Sequence, residues 1–599
     1  MPDIKNKPLN VLAVFSKLAP ACFRTAPAGV CVDIALLTAN GFVNGGIILL
    51  TQRLLDAAAG FAGGTVGTNA VLFALALLAL AHAGNHIFIG LGNYFGNKNH
   101  LKIVGILRKD INKKAARLAP IDFENTEILN HINKAEMGSF NAVSFVMTTF
   151  VIFAVFLPYF GFAAWYLFSL KPLLVAALAA AFIPPALTQF LRVKVFTRLE
   201  DASAPARREA DYYEQCMAGR EYFKETRLLG AYWYFKKLLS DCISLLNRLR
   251  WKHEVKANSA ELAMKLLTLA AYSGVIVLLF TTLMRQEISV GAFAAVYGSI
   301  DRLFRMMNDL ITMQIGSNAR YLGSIRNYLA FMDLPERKGR SMALPKTRGV
   351  EVENVSFSYP GSGTKAVDSV SLDIRPGETL AIVGENGSGK STLVRLITGL
   401  YLPAEGVVRI GGVDTAEASM ESLFENSSAV FQKYQRYQMT LKENIGISRG
   451  EDIFADRRGE AEEKLQRACA QADLETEQFP AGFDTMLSRE FEGIDLSGGQ
   501  WQRVAIARGL YRDYDFIVLD EPTAAIDPIE ESNIYNRFAE IVRDKTALIV
   551  THRMGSVRLA NRILVMKQGR LVETGTHDEL MRAGGEYARL YRSQEQWYS

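Results

Sequence analysis

Gly384-Glu385-Asn386-Gly387-Ser388-Gly389-Lys390-Ser391 follows directly on the apolar run Glu378 to Val383, and its reading decides the fold of the C-terminal part. The run reads as a buried strand, and the octet fits the phosphate-loop pattern GxxxxGK[ST] without a mismatch. Its glycines let backbone N–H groups approach phosphate oxygens, and the helix that follows offers its positive end. Lys390 is then placed to neutralise terminal phosphates, and Ser391 to ligate a magnesium ion.

Working outward, Phe516-Ile517-Val518-Leu519 reads as a second buried strand ending in Asp520 and Glu521. Two acids at a strand end suit a division of labour in which Asp520 holds magnesium through water and Glu521 activates the attacking water. Between the two motifs lies Leu496-Ser497-Gly498-Gly499-Gln500. Ser497 and the glycine amides can cap a helix start and grip a phosphate.

This last segment, in order with the other two, resembles the signature of ABC ATPases. The resemblance implies ATP and Mg2+ as cofactors and a head-to-tail dimer in which Ser497, Gly498, Gly499 and Gln500 meet nucleotide held by the opposite subunit. It also implies nucleotide contacts for the whole loop from Gly384 through Glu385, Asn386, Gly387, Ser388, Gly389, Lys390 and Ser391 to Thr392. Tyr359, after the strand Val355 to Ser358, resembles the aromatic that stacks on adenine, although it also suits an ordinary strand aromatic. Gln432 resembles the loop glutamine that senses magnesium, Asp527 the dimer-interface aspartate, and His552 the histidine that contacts the terminal phosphate. Two departures stand out: Trp501 where many relatives carry Arg or Lys, and Phe491 to Asp495 just before the signature. Both are expected on the surface that meets the membrane loops.

The N-terminal half is different in kind. Of 599 residues, 49% are hydrophobic and 22% charged, an average of an apolar half and an ordinary soluble half. Six stretches, near 28–50, 68–93, 139–161, 170–191, 261–284 and 288–313, are long enough to cross a bilayer core about 30 Å thick. Spans three and four are separated only around Gly161, and five and six by Arg285 to Glu287. Residues 96–138 and 192–256 form long connections rich in Lys and Arg, broken at Pro120 and near Gly230, so they and both chain ends are expected in the cytoplasm. Pro8 to Ala21 suits either an interfacial elbow helix or an extension of the first span.

The predicted architecture is therefore a membrane α-helical bundle at 1–325, a linker at 326–347 and an α/β P-loop ABC-type ATPase domain at 348–599. The formal charge of +5 sits largely in the loops between spans, which argues against nucleic-acid binding. The five cysteines are scattered and suggest neither a disulfide framework nor a metal site. Short spacing between the nucleotide motifs, together with the spans, excludes the coiled-coil ATPases of chromosome organisation. A degenerate channel or regulator is disfavoured because Glu521 and His552 are both present.

The whole chain resembles the half-size exporters of the ABC superfamily. That resemblance implies ATP-driven outward transport across a bacterial cytoplasmic membrane by alternating access, as a homodimer or with a related half-transporter. Ile121 to Glu127 and Glu225 to Gly230 are the expected contacts from the long loops to the ATPase, the second crossing to the partner. Phe491 to Val504 resembles bacterial exporters of lantibiotics and other modified peptides. About 29 residues precede the first span, too few for the N-terminal peptidase of peptide-maturing relatives. A peptide cargo is the leading expectation; a lipid flippase or multidrug exporter, moving lipid or hydrophobic small molecules, is the alternative. Intramembrane ionisable groups usually face a cavity or a partner, which nominates Asp33, His82 and His86, and Asp301, Arg302, Arg305 and Asp309 on the sixth span, as substrate-cavity residues, unless Arg305 simply pairs with Asp301 or Asp309 and the two histidines lie near a water boundary.

Overall fold

The computed structural model describes residues 11–345, 349–454, 458–521, 538–543, 545–552 and 556–598. They fall into two compact units, one of Met1–Ala116 with Asn130–Leu334, the other of Arg117–Leu129 with Pro335–Ser599.

The first unit is all helical: α1 Val11–Thr25, α2 Pro27–Ala62, α3 Thr68–Arg117, α4 Thr126–Val151, α5 Leu157–Leu170, α6 Pro172–Ala218, α7 Phe223–Leu228, α8 Tyr232–Met284, α9 Val290–Asn308 and α10 Gly316–Met332. α1 is an elbow of its own, because Ala26 leaves helical geometry at φ −145° and Pro27 opens the next helix. Its buried face is Val14, Leu18, Ala19 and Cys22. Single-turn π segments at Ile152–Phe156 and Asp309–Ile315 interrupt the third and sixth spans without breaking them. Gly161 lies inside α5, and the break between spans three and four falls instead at Lys171, extended at φ −162° and followed by Pro172 at the helix start. An interior glycine costs a helix only about 1 kcal/mol, whereas a proline at the first turn is preset to begin one.

Five helices among the described residues are long and apolar enough to cross a membrane: Pro27–Ala62, Thr68–Arg117, Lys134–Leu170, Pro172–Arg192 and Tyr232–Met284. The helix at the sixth expected span, α9, is amphipathic. Ala292, Ala295, Val296, Ile300, Leu303 and Met307 are buried on one side, while Asp301, Arg305, Asn308 and Asp309 form an exposed stripe on the other. The long connections turn at the expected breaks, with a short 3-10 turn at Pro120–Glu124 and Gly230 at φ 64°.

The second unit holds two sheets. In the six-stranded one, β3 (Thr379–Gly384) lies between two parallel neighbours, in the order β10 (Arg570–Gly575), β9 (Arg562–Lys567), β3, β8 (Thr546–Val550), β7 (Phe516–Asp520), β6 (Ser427–Val430), with only β10 antiparallel. β3, β7 and β8 are buried throughout, as continuous apolar runs require when both faces are covered. The other sheet is antiparallel, in the order β2 (Val367–Ile374), β1 (Val350–Phe357), β4 (Glu405–Ile410), β5 (Val413–Asp414). A shared core that includes Val355, Leu380, Leu393, Val408 and Val518 joins the two sheets. The first-loop segment belongs here too: Ile121 packs on that core, and Glu124 accepts a hydrogen bond from the Tyr401 hydroxyl at 2.7 Å.

Candidate ATPase site

Parallel strands present their C-terminal ends to one edge of the sheet, and that edge collects the expected groups. β3 delivers Gly384 to Ser391, with Gly387 and Gly389 at φ 81° and 100°. A side chain at Gly389 would also collide with the Ala366 carbonyl, so the tight loop is reserved for glycine. The loop wraps the Lys390 ammonium, which donates to the carbonyls of Gly384 at 2.9 Å and Glu385 at 3.0 Å. Burial pushes the Lys390 ammonium below the usual lysine range, against the pull of Glu521 and Asp520.

β7 delivers Asp520, buried, with its carboxyl raised above the usual carboxylate range first by desolvation and then by the Glu521 charge, while the Ser391 hydroxyl opposes this. Glu521 takes the left-handed backbone at φ 47° and donates its N–H to the Val550 carbonyl at 2.9 Å. Its carboxylate receives Gln432 Nε2 on one oxygen, and His552 Nδ1 lies 3.1 Å from the other. Thus Glu521, Gln432 and His552, from three separate segments, meet at one carboxylate. Ser388 Oγ and Asp520 Oδ1 are buried polar atoms with no hydrogen-bond partner. Next to a loop of inward N–H groups, they are an unfilled donor and an unfilled acceptor where phosphate and a hard cation fit.

Tyr359 sits beside this loop, its hydroxyl 3.1 Å from Thr392 Oγ1 and accepting from Arg395 at 2.8 Å. Ser497 caps the helix Gly498–Tyr511 through a reciprocal box with Gln500, as a Ser-x-x-Gln start permits. Among the described residues, Ser497 to Gln500 make no hydrogen bond to the phosphate loop. Asp527 lies outside the described residues.

Trp501 is not a surface residue: it is 2% exposed within the core of Leu465, Val504 and Phe479. One turn into a helix whose apolar face meets that core, an indole is buried by helical phase. Phe491 is exposed as expected, with Glu492 in the left-handed region at φ 61°.

No motif marks Arg508, which donates to the carbonyl of Asn444 at 2.8 Å and its side chain at 3.0 Å, and lies over the Tyr437 ring. It ties the segment after Gln432 to the signature helix, and its place inside that helix at the buried phase was the available signal. Nor did any motif mark Arg589 and Gln594 of the C-terminal helix Glu586–Tyr598. Arg589 reaches Glu385 of the phosphate loop at 2.5 Å, and Gln594 donates to the His552 carbonyl.

In the membrane unit, Asp33 is buried, His82 and His86 are exposed, and Asp301 and Arg305 form an exposed ion pair with each other.

The model of the ABC transporter family matches residues 367–524. The chain is 28% identical over 524 residues to the Subtilin transport ATP-binding protein of Bacillus subtilis, covering 84% of this chain and 82% of that one. It is 36% identical over 249 residues to the Nisin transport ATP-binding protein of Lactococcus lactis subsp. lactis, spanning 40% of its length. To an ATP-dependent lipid A-core flippase of Photobacterium profundum it is 35% identical over 324 residues, about half of either chain (53% and 54%). A bacterial Atm1-family ABC exporter with ATP bound superposes with a TM-score of 0.80 at 22% identity, over 95% of this chain and 99% of that one. The chain therefore joins an ABC transporter ATPase domain to the half-size ABC exporter fold, and is an ATP hydrolase of the kind coupled to transmembrane transport.

Proposed function

We propose that the protein is an exporter that uses ATP to move a modified peptide outward across a bacterial cytoplasmic membrane, working as two copies with two nucleotides at their interface. The observation that carries the motor is the convergence of Gln432, Glu521 and His552 on one carboxylate beside the phosphate loop. Lys390 and the loop amides hold the phosphates, and Ser391, Asp520 and Gln432 would hold a magnesium ion, which offsets the charge of the phosphate oxygens when bound. Glu521 orients and deprotonates the attacking water, its acceptor oxygens fixed by Gln432 on one side and His552 on the other. Ser497 and the Gly498 and Gly499 amides close the partner's site, Asp527 contributes at the dimer interface, and Tyr359 carries the adenine.

Peptide cargo is supported by the length of the likeness. A match of 524 residues has to run through most of the membrane unit, whereas one of 324 can lie largely in the ATPase. The lipid-flippase reading keeps its footing in that second group of relatives. In this scheme Glu225 to Gly230 crosses to the partner's ATPase, consistent with Leu228 and Leu229 standing 87% and 75% exposed at the tip of the second loop. Both chain ends are cytoplasmic.

The test is the ATPase rate of the full chain in lipid nanodiscs against modified peptides, lipids and drugs, with Glu521→Gln as control. Stimulation by peptide alone supports the cargo. Stimulation by lipids or by many hydrophobic compounds moves it to the alternative, and no magnesium-dependent rate above the control refutes the motor.

A further inference from the structure

Three asparagines from two helices, Asn40 and Asn44 on α2 and Asn85 on α3, are buried together at 6%, 6% and 4% exposure. Asn40 Nδ2 and Asn44 Nδ2 donate to Asn85 Oδ1 at 2.7 and 2.8 Å, and Asn44 Nδ2 also reaches Asn40 Oδ1 at 3.1 Å. The amide donors of Asn40 and Asn44 are thus spent inside the triad. Asn44 Oδ1 accepts from Arg302 Nη2 of α9 at 2.8 Å.

Arg302 lies near the middle of the sixth expected span, half-buried at the flank of the exposed stripe of Asp301, Arg305, Asn308 and Asp309. Such a stripe is too polar to face hydrocarbon and so borders water or a partner. The neighbouring acid, Asp301, is committed to Arg305. Among the described residues no carboxylate pairs with Arg302. A guanidinium has five N–H donors in a rigid fork, and a neutral amide scaffold uses one of them while leaving the charge uncompensated. An unpaired cation inside a span is costly unless it has a task, and its fork geometry matches a carboxylate or a phosphate bidentately.

Resting on the exporter reading above, we propose that Arg302, positioned by the Asn40, Asn44 and Asn85 triad, is a cargo-recognition residue that takes a carboxylate of the peptide. Of the ionisable residues that charge alone singles out on this span, Asp301 and Arg305 neutralise each other. Arg302 is the cation left over.

The experiment uses the full chain in phosphatidylcholine nanodiscs and a synthetic lanthionine-bridged peptide whose one acid is its C-terminal carboxylate, compared with the same peptide amidated. Wild type, Arg302→Gln and Arg302→Lys are each titrated for stimulation of ATPase. Gln keeps a donor for Asn44 and removes the charge, while Lys keeps the charge and removes the fork; elution and thermal transition confirm that each is folded. In the wild type the acid should half-stimulate at a concentration at least about tenfold below the amide, the effect of one charge-assisted contact. In Arg302→Gln the two curves should coincide, with Arg302→Lys between. A wild type that does not distinguish the peptides, or a Gln variant that still does, overturns the proposal. So does a response to phosphatidic acid doped into the bilayer that Arg302→Gln abolishes while neither peptide acts, which would assign the cation to a lipid phosphate. Absence of any rate above Glu521→Gln would fault the motor reading itself, a separate result.

Discussion

Glu521 is held in a backbone region that costs a side-chain-bearing residue about 1 kcal/mol or more, and its N–H bond to Val550 fixes it there. That turn swings the carboxylate off the strand axis toward Gln432 and His552. In the proposed mechanism Glu521→Gln keeps the turn and the shape but removes the base, so turnover should fall about 10²–10⁴-fold with nucleotide affinity nearly unchanged, read by phosphate release beside fluorescent-nucleotide binding. A matching loss of affinity would place Glu521 in binding instead. The nucleotide loop and the paired acids were legible because their chemistry demands fixed residue types at fixed spacing. Trp501 was misplaced because a motif neighbour says nothing about helical phase. With its ring 2% exposed, Trp501→Ala should cost about 3–5 kcal/mol of the stability of the ATPase unit. Trp501→Arg should do no better, since it buries an unpaired charge. Thermal unfolding of the full chain measures both, and a Trp501→Arg variant as stable as wild type would contradict the burial.

Among elements, the C-terminal helix Glu586–Tyr598 links parts of the site that are far apart in sequence. Tyr587 and Leu590 pack with Ala381 and Val383 of β3, while Arg589 reaches the phosphate loop and Gln594 the carbonyl of His552. Its anchor is electrostatic: hydrogen bonds from Arg589 and Lys567 pull the Glu586 carboxyl down from its ordinary 4.5 to about 2. A carboxyl with a lowered folded-state pKa contributes stability above its unfolded pKa and loses it as pH falls through the folded one. The helix should therefore loosen between about pH 4.5 and 2, seen as lower amide protection factors over 586–594, with exchange normalised to the intrinsic rate at each pH. Glu586→Gln should show that lower protection already at neutral pH; protection unchanged by pH and by the substitution would mean apolar packing alone holds the helix. Elements are where periodicity served best and boundaries least. The elbow and the loop breaks at Pro120 and Gly230 follow from local chemistry. Gly161 did not end a helix because one glycine is a small penalty in a long apolar run, and Lys171 left no mark until the helix start at Pro172 was seen.

At the scale of the whole molecule, the proposed hydrolytic site takes one wall from a second copy. Lys390, Asp520, Glu521 and His552 share a sheet edge, yet the capped start at Ser497 forms no hydrogen bond with that edge among the described residues. The order of motifs was readable in sequence; which copy's signature faces which loop was not, because that is a property of two chains. If each site takes its phosphate loop from one copy and its signature from the other, the assignment can be separated genetically. Lys390→Ala removes the loop cation, and Ser497→Arg blocks the signature. A pair of Lys390→Ala chains has two damaged sites, as has a pair of Ser497→Arg chains. In a mixed pair, the Ser497→Arg copy supplies an intact loop to the intact signature of the Lys390→Ala copy, so one site is whole and the other doubly damaged. Random pairing of equal amounts makes half the dimers mixed, so trapped nucleotide should recover to about a quarter of wild type. Vanadate trapping in the co-expressed mixture, purified through a tag common to both copies, measures it. Sites built within one chain would leave the mixture as empty as its parents.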